Sequence, residues 1–184
     1  MTIDWKKVWE KKGRIDSIDK KLLNGYEKTN INPKEVSRNI MTLLEIEQKT
    51  KVLEVGCGAG MLAEYIDCSY TGVDYSLPLI EKHKKLLNNN VHYAEANNLP
   101  FADNQFEVVF AYSIFQYFQT KEYAIQVIKE MFRVSSGKVF IGDLARKSHS
   151  EDHMLYPEID MHALGFKTFK GYYNPDRYNA WKVI

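Results

Sequence analysis

The chain is poor in the features that mark specialised proteins. Its two cysteines, Cys57 and Cys68, have no spacing for a metal site or a disulfide framework, so small buried thiols are expected. It has almost no net charge: 25 Lys and Arg against 24 Asp and Glu leave +1. With no basic tail or long basic run, the electrostatic footprint of a nucleic-acid binder is missing. No apolar run approaches a membrane span, and residues 1–7 lack the apolar core of a signal peptide; a cytoplasmic protein with no membrane partner is expected. Internal repeats and low-complexity segments are absent too. Aromatics are plentiful, with 12 Tyr and 9 Phe, and these pack cores first and stack on flat ligands second. A chain of 184 residues is expected to form a single domain burying about two-thirds of its unfolded surface. Within it, residues 1–30 read as a polar lead-in and 31–184 as the core. The lead-in's Trp5, Trp9 and Tyr26 either lid a pocket or pin the N-terminus to the core.

The core reads as alternating elements. Asn32-Pro33-Lys34-Glu35 is a helix start, with an Asn cap, Pro at the first helical position and Glu closing a capping box. Val36, Ile40, Leu43 and Leu44 give that helix an apolar face. β-type runs follow at 51–55, 70–74, 91–95, 106–112 and 138–143. Ser76 reads as the cap of a helix bearing Leu79, Ile80, His83, Leu86 and Leu87 on one face. A second helical stripe holds Tyr123, Ala124, Val127, Ile128 and Met131. Strands recurring with helices between them imply a sheet wound on both faces. The ending breaks the pattern: segments 166–172 and 178–184 are separated only by Tyr173-Asn174-Pro175-Asp176-Arg177. That link is too short for a crossover helix, so the two should pair antiparallel. The expected fold is α/β: a doubly wound, mostly parallel, seven-stranded Rossmann-like sheet with a C-terminal antiparallel hairpin strand.

The most informative stretch is Lys51-Val52-Leu53-Glu54-Val55-Gly56-Cys57-Gly58-Ala59-Gly60, followed by a helical pattern at Met61, Leu62, Tyr65 and Ile66. A strand feeding a glycine turn and then a helix brings backbone N–H groups close to a nucleotide-like ligand. Met61 stands where a dinucleotide fingerprint needs its third glycine. Glu54, two positions before the first glycine, would repel a pyrophosphate and welcome an ammonium group. A cationic, amino-acid-bearing nucleoside fits both facts, and S-adenosylmethionine is the expected cofactor. Met61, Glu54 and the closing hairpin together disfavour an NAD-dependent oxidoreductase.

Four motifs in order carry a resemblance. They are 52–60 (VLEVGCGAG); Gly72-Val73-Asp74-Tyr75-Ser76; Glu95-Ala96-Asn97-Asn98-Leu99-Pro100-Phe101, with 103–109 after it; and Glu130-Met131-Phe132-Arg133-Val134. Over nearly its whole length the chain resembles the class I S-adenosylmethionine-dependent methyltransferase family, of the small-molecule or saccharide type. The family's sheet carries a reversed terminal strand, which agrees with the hairpin. The resemblance implies Glu54 facing the methionine ammonium and the backbone of Gly56, Cys57, Gly58 and Gly60 lying under the ligand. It implies Asp74 accepting from both ribose hydroxyls, because one carboxylate offers two acceptor oxygens. Tyr75 or Leu77 would cover an adenine face, and Glu95, Ala96 and Asn97 would meet the adenine amino group. Glu95 stands where the family usually has Asp. Tyr112, with Ser113 and Gln116, ends the fourth strand at the carboxyl edge of the sheet, and Gln116-Tyr117 replaces a His pair frequent in the family.

A sulfonium methyl is already electrophilic, so such an enzyme mainly aligns an acceptor for in-line displacement. Carbon or hydroxyl acceptors also need a base, for which the candidates are Asp143, His149 and His153. The two histidines are four apart and open to a metal reading, but no further ligands accompany them, and no metal is expected. The expected acceptor is a small molecule or saccharide; Asp4-Trp5-Lys6-Lys7-Val8-Trp9 and Asn24-Gly25-Tyr26-Glu27 are reminiscent of methyltransferases acting on such metabolites. Two alternatives remain. One is a methyltransferase acting on RNA or protein, for which no basic surface, extra module or Asn-Pro-Pro-Tyr-like sequence is visible. The other is a non-catalytic cofactor-binding homologue that works through a partner.

Overall fold

A computed structural model of the chain describes residues 3–147 and 153–184. The lead-in holds helices α1 (Trp5–Gly13) and α2 (Lys20–Leu23), and α3 (Pro33–Leu44) precedes the sheet. Strand β1 (Lys51–Val55) is followed by β2 (Ser69–Asp74), helix α4 (Leu77–Leu87), β3 (Asn90–Tyr93) and β4 (Phe106–Tyr112). Helix α5 (Lys121–Val134), β5 (Ser135–Ala145), α6 (Glu158–Ala163), β6 (Lys167–Lys170) and β7 (Arg177–Val183) complete the chain.

Alternation along the central strands explains the layering. Val52, Val108, Phe110 and Phe140 face one way and pack with Val36, Ile40 and Leu44 of α3. Their neighbours Leu53, Val55, Val109, Ala111, Val139 and Ile141 face the other way, toward Val127, Ile128 and Met131 of α5. Every second residue of a strand turns to the same face, so these near-continuous apolar runs supply both sides of a sheet covered on both. The sheet order is β3-β2-β1-β4-β5-β7-β6. The first five strands are parallel, and β7 lies antiparallel to both β5 and β6, as a short link requires; it spans 171–176 rather than the expected 173–177. The chain winds outward from β1 through β2 and β3, then restarts at β4 and winds the opposite way. A crevice at the carboxyl ends of β1 and β4 follows from that reversal, and ligands of open α/β sheets bind there.

The structure corrects several local expectations. The helical pattern after Gly60 forms only a 3-10 turn, Ala63–Tyr65. Met61, Leu62 and Ile66 are buried in the α3 core, and Ser37 Oγ donates to Leu62 O at 3.0 Å. Helix α3 therefore covers the face that a helix after β1 would have taken. Ser76 stands at the N-cap of α4 without a side-chain cap bond. Asn32 does cap α3, accepting from Glu35 N–H at 3.3 Å. Strand β3 stops at Tyr93, so Glu95 lies in the loop beyond it, and β5 runs from Ser135 to Ala145, longer than its apolar centre suggests. The lead-in packs across the sheet's carboxyl edge through α1 and α4. At Gly13 an added Cβ would stand 2.6 Å from Leu79 N, so the two helices meet backbone to backbone. Among the described residues, no helix is long and apolar enough to cross a membrane.

Candidate active site

A cavity of about 690 Å³ opens at the β1/β4 crevice. Gly56 and Gly58 after β1, Asp74 at the end of β2 with Tyr75 after it, Ala96 beyond β3 and Tyr112 at the end of β4 line it, so six of the residues anticipated for the cofactor converge. The lead-in adds Trp9, Asn24 and Tyr26, and the segment after β4 adds Ser113, Ile114 and Tyr117.

Asp74 organises the nucleoside side. Its Oδ2 accepts from Gly58 N–H at 3.0 Å and its Oδ1 from Ser76 N–H at 2.8 Å. Each oxygen keeps a lone pair for a further donor. Burial pushes its pKa up to about 6, opposed by those backbone N–H bonds. Gly58 has φ +50, and a Cβ there would stand 2.3 Å from Asn24 Nδ2. Asn24 Oδ1 accepts from Ala59 N–H at 3.2 Å, so the lead-in is tied directly to the glycine turn. Gly60 serves packing instead, since its missing Cβ makes room for Leu87 and His83 of α4. His83 Nδ1 lies 3.0 Å from Gly58 O, and burial pushes its pKa down to about 4.

Four other anticipated residues stand behind or beside the cavity wall. Glu54, 4% exposed, accepts from Tyr70 Oη at 2.6 Å. Burial pushes its pKa up to about 8, with the Tyr70 bond working against the shift and the Asp74 charge adding to it. Cys57 is buried against Ile80 and Val91, where burial, then the charges of Asp74 and Glu54, push its thiol pKa well up. Glu95 accepts from Lys6 Nζ at 2.7 Å and from Tyr123 Oη at 3.4 Å. Asn97 Nδ2 donates to Gln126 Oε1 at 3.2 Å.

Of the candidate bases, His149 lies outside the described residues. His153 packs its ring 5.3 Å from Trp5 and 5.4 Å from Tyr117, within the aromatic group that also holds Trp9 against Tyr117. Asp143, 3% exposed, accepts from Ser113 Oγ at 2.6 Å and from Tyr173 Oη at 3.3 Å. Sequence reasoning missed Ile114 and Tyr117 as cavity walls, although their place just after β4 was the available signal. Asn24 stood in the noted segment Asn24-Gly25-Tyr26-Glu27, but nothing local tied it to the glycine turn.

The comparisons with known proteins agree with this geometry. A family model described as a methyltransferase domain matches residues 53–141. The probable tRNA methyltransferase 9B of Mus musculus is 36% identical over 84 residues, covering 45% of this chain and 19% of that protein. Phosphoethanolamine N-methyltransferase 3 of Arabidopsis thaliana is 28% identical over 133 residues, 66% of this chain and 27% of the relative. The chain thus spans only about a fifth to a quarter of the length of these relatives. Among solved structures, magnesium protoporphyrin IX methyltransferase from Synechocystis PCC 6803 with bound SAM shares the fold at TM-score 0.70 and 13% identity, covering 99% of this chain and 98% of that one. Phosphoethanolamine N-methyltransferase 1 of Haemonchus contortus gives TM-score 0.75 at 11% identity over 97% of this chain and 48% of that chain. Residues 53–141 thus match a methyltransferase domain, and the fold is the one that S-adenosylmethionine-dependent methyltransferases share. Solved structures that share this fold hold S-adenosylmethionine or its demethylated product.

Proposed function

We propose that the chain works as one methyltransferase domain that moves a methyl group to a small-molecule or saccharide acceptor by in-line displacement. The observation that carries this reading is the cavity at the glycine turn, walled mostly by apolar and aromatic side chains, with Trp9 and Tyr26 of the lead-in among them. Such a mostly apolar lining with a few polar groups is usual for small-molecule sites. S-adenosylmethionine supplies a methyl group on a sulfonium that needs no further activation. The protein's share is alignment, worth on the order of 7–11 kcal/mol for well-oriented reactants.

The residues present suit the cofactor. Gly56 and Gly58 leave backbone exposed to it, Asp74 offers two acceptor oxygens to a ribose, and Tyr75 and Ala96 provide flat walls for an adenine. Cys57 and Gly60 shape the turn from behind, while Glu95 and Asn97 border the adenine end. Glu54 is assigned to the ammonium group, since a cation nearby favours its ionised form. The lead-in, described from residue 3, acts as the lid; Asp143 is the foremost base, His153 flanks the acceptor end, and His149 stays a candidate base from its sequence position alone.

A second reading, transfer to RNA, comes from the name of the tRNA methyltransferase relatives. One assay separates the two: tritium transfer from labelled S-adenosylmethionine to a panel of phenols, alcohols, amines, saccharides and bulk tRNA. Transfer to small acceptors is expected, and label appearing only in tRNA would replace the small-acceptor reading.

A further inference from the structure

Asp143 is the expected base, yet it does not line the cavity; Ser113 does. Ser113 follows β4, Asp143 lies near the end of the adjacent parallel β5, and two hydrogen bonds tie Ser113 to the Gly142-Asp143 step. Ser113 Oγ donates to Asp143 Oδ2 at 2.6 Å, and Ser113 N–H donates to Gly142 O at 3.0 Å. The direction of the first bond follows from the groups around it. Arg177 Nη1, which can only donate, gives a hydrogen bond to Gln116 Oε1. That orients the Gln116 amide so that Nε2 donates to Ser113 Oγ at 3.0 Å. The serine hydroxyl therefore accepts from Gln116 and sends its one proton to the carboxylate. A hydroxyl oxygen has two lone pairs, so one remains for a further donor, and Ser113 lines the cavity beside Tyr26, whose hydroxyl interacts with it. Arg177 is itself buried, with Nη1 3.3 Å from Asp143 O and Nε 4.0 Å from Asp143 Oδ1. Ser113 and Asp143 have φ of +58 and +62, a left-handed conformation rare outside glycine. Such outliers persist where the surroundings over-determine them, and they cluster at functional sites.

We propose that Ser113 relays the proton of a neutral O–H or N–H acceptor to Asp143, the acceptor itself never touching the carboxylate. The acceptor hydrogen-bonds to the open lone pair of Ser113 Oγ. As its own lone pair forms the bond to the methyl carbon, the C–S bonding pair stays on sulfur. The acceptor's proton passes to Ser113 Oγ while the serine's proton passes to Asp143 Oδ2. Atoms and charge balance: sulfonium, carboxylate and neutral acceptor become thioether, carboxylic acid and methylated acceptor. The inference rests on the small-acceptor reading and adds to it the residue that handles the proton.

Two variants suit the backbone. Ser113→Gly removes the hydroxyl at a φ that glycine favours, and Asp143→Asn removes the base with a residue that tolerates this region. The probes are phenol and thiophenol at about pH 8, where the thiol has already ionised and has no proton to give. In both variants the ratio of kcat/KM for phenol to that for thiophenol should fall at least about 100-fold, the lower end of general-base effects. S-adenosylhomocysteine affinity, measured by calorimetry, should be retained in both. An unchanged ratio, an equal loss on the two probes, or a matching loss of S-adenosylhomocysteine affinity overturns the relay. Wild-type protein that binds S-adenosylhomocysteine but methylates neither probe nor any small acceptor removes the underlying reading, and the relay with it.

Discussion

At the scale of single residues, the cofactor site rests on a carboxylate and a missing methyl. Asp74 serves the fold and the ligand together: it accepts from two backbone N–H groups and keeps acceptor capacity on the cavity side. Asp74→Asn replaces one acceptor with a donor amide and removes the charge. Hydrogen bonds to charged groups are worth about 1.5–3 kcal/mol, so affinity for S-adenosylhomocysteine should drop about 10- to 100-fold by calorimetry, with the circular dichroism spectrum unchanged. Gly58→Ala meets two obstacles, φ +50 and Asn24 Nδ2 at 2.3 Å from the new Cβ. The dihedral alone costs about 1–2 kcal/mol. Urea unfolding should show a larger loss than that in Gly58→Ala, and the double variant with Asn24→Ala should recover the steric part. Additive losses would show that the two residues do not interact.

At the scale of elements, the lead-in and the hairpin close the site from opposite ends. The lead-in reaches the sheet edge through Lys6–Glu95, Asn24–Ala59 and the packing of α1 on α4. Lys6 and Glu95 have side chains 43% and 42% exposed, so solvent screens their ion pair and Lys6→Ala should change stability by less than about 1 kcal/mol. Trp9 lines the cavity and stacks edge-on against Tyr117. Trp9→Ala should therefore weaken S-adenosylhomocysteine binding far more than Lys6→Ala; equal effects in calorimetry would remove the lid role of α1. At the other end, Tyr178 of β7 is fully buried, and its hydroxyl donates to Tyr156 O at 2.7 Å. The hairpin is thereby locked to the segment before α6, and it places Arg177 and Tyr173 beside Asp143.

At the scale of the whole molecule, buried carboxylates make stability depend on pH. Glu54 and Asp74 have folded-state pKa values raised to about 8 and about 6. The folded state binds their protons more tightly than the unfolded state does, so their contribution is complete below the ordinary carboxylate range. It is lost as pH rises, first through about 6 and then through about 8. His83 has the opposite sign: its pKa is pushed down to about 4, so its contribution is complete above 6.5 and is lost only in acid. Between about pH 6.5 and pH 8.5 Glu54 governs, and urea melts should show stability falling across that window. Glu54→Gln should flatten the fall, and a flat wild-type profile would contradict the assignment.

Much of this was legible along the chain. The apolar runs of β1, β4 and β5 carry enough alternation to split into two cores, and the short link before β7 forces an antiparallel ending. The turn after Glu54 identifies a ligand class because φ-permissive glycines and a neighbouring carboxylate are local facts. The helix expected after Gly60 was not legible, because α3 had already covered that face and a 3-10 turn was enough to bring the chain to β2.

What the sequence determined by itself was the order of the strands, their two faces and the glycine turn with its neighbouring carboxylate, all set by neighbours within a few residues. Only the tertiary structure decided that Gly60 makes room for α4, that Asn24 caps the glycine turn and that Ser113 stands between Asp143 and the cavity. Those pairings join residues 35, 30 and 61 positions apart, in Asn24–Ala59, Ser113–Asp143 and Gln116–Arg177. No local periodicity encodes a contact at such distances. It arises when the sheet reverses its winding between β1 and β4 and carries these side chains to one edge.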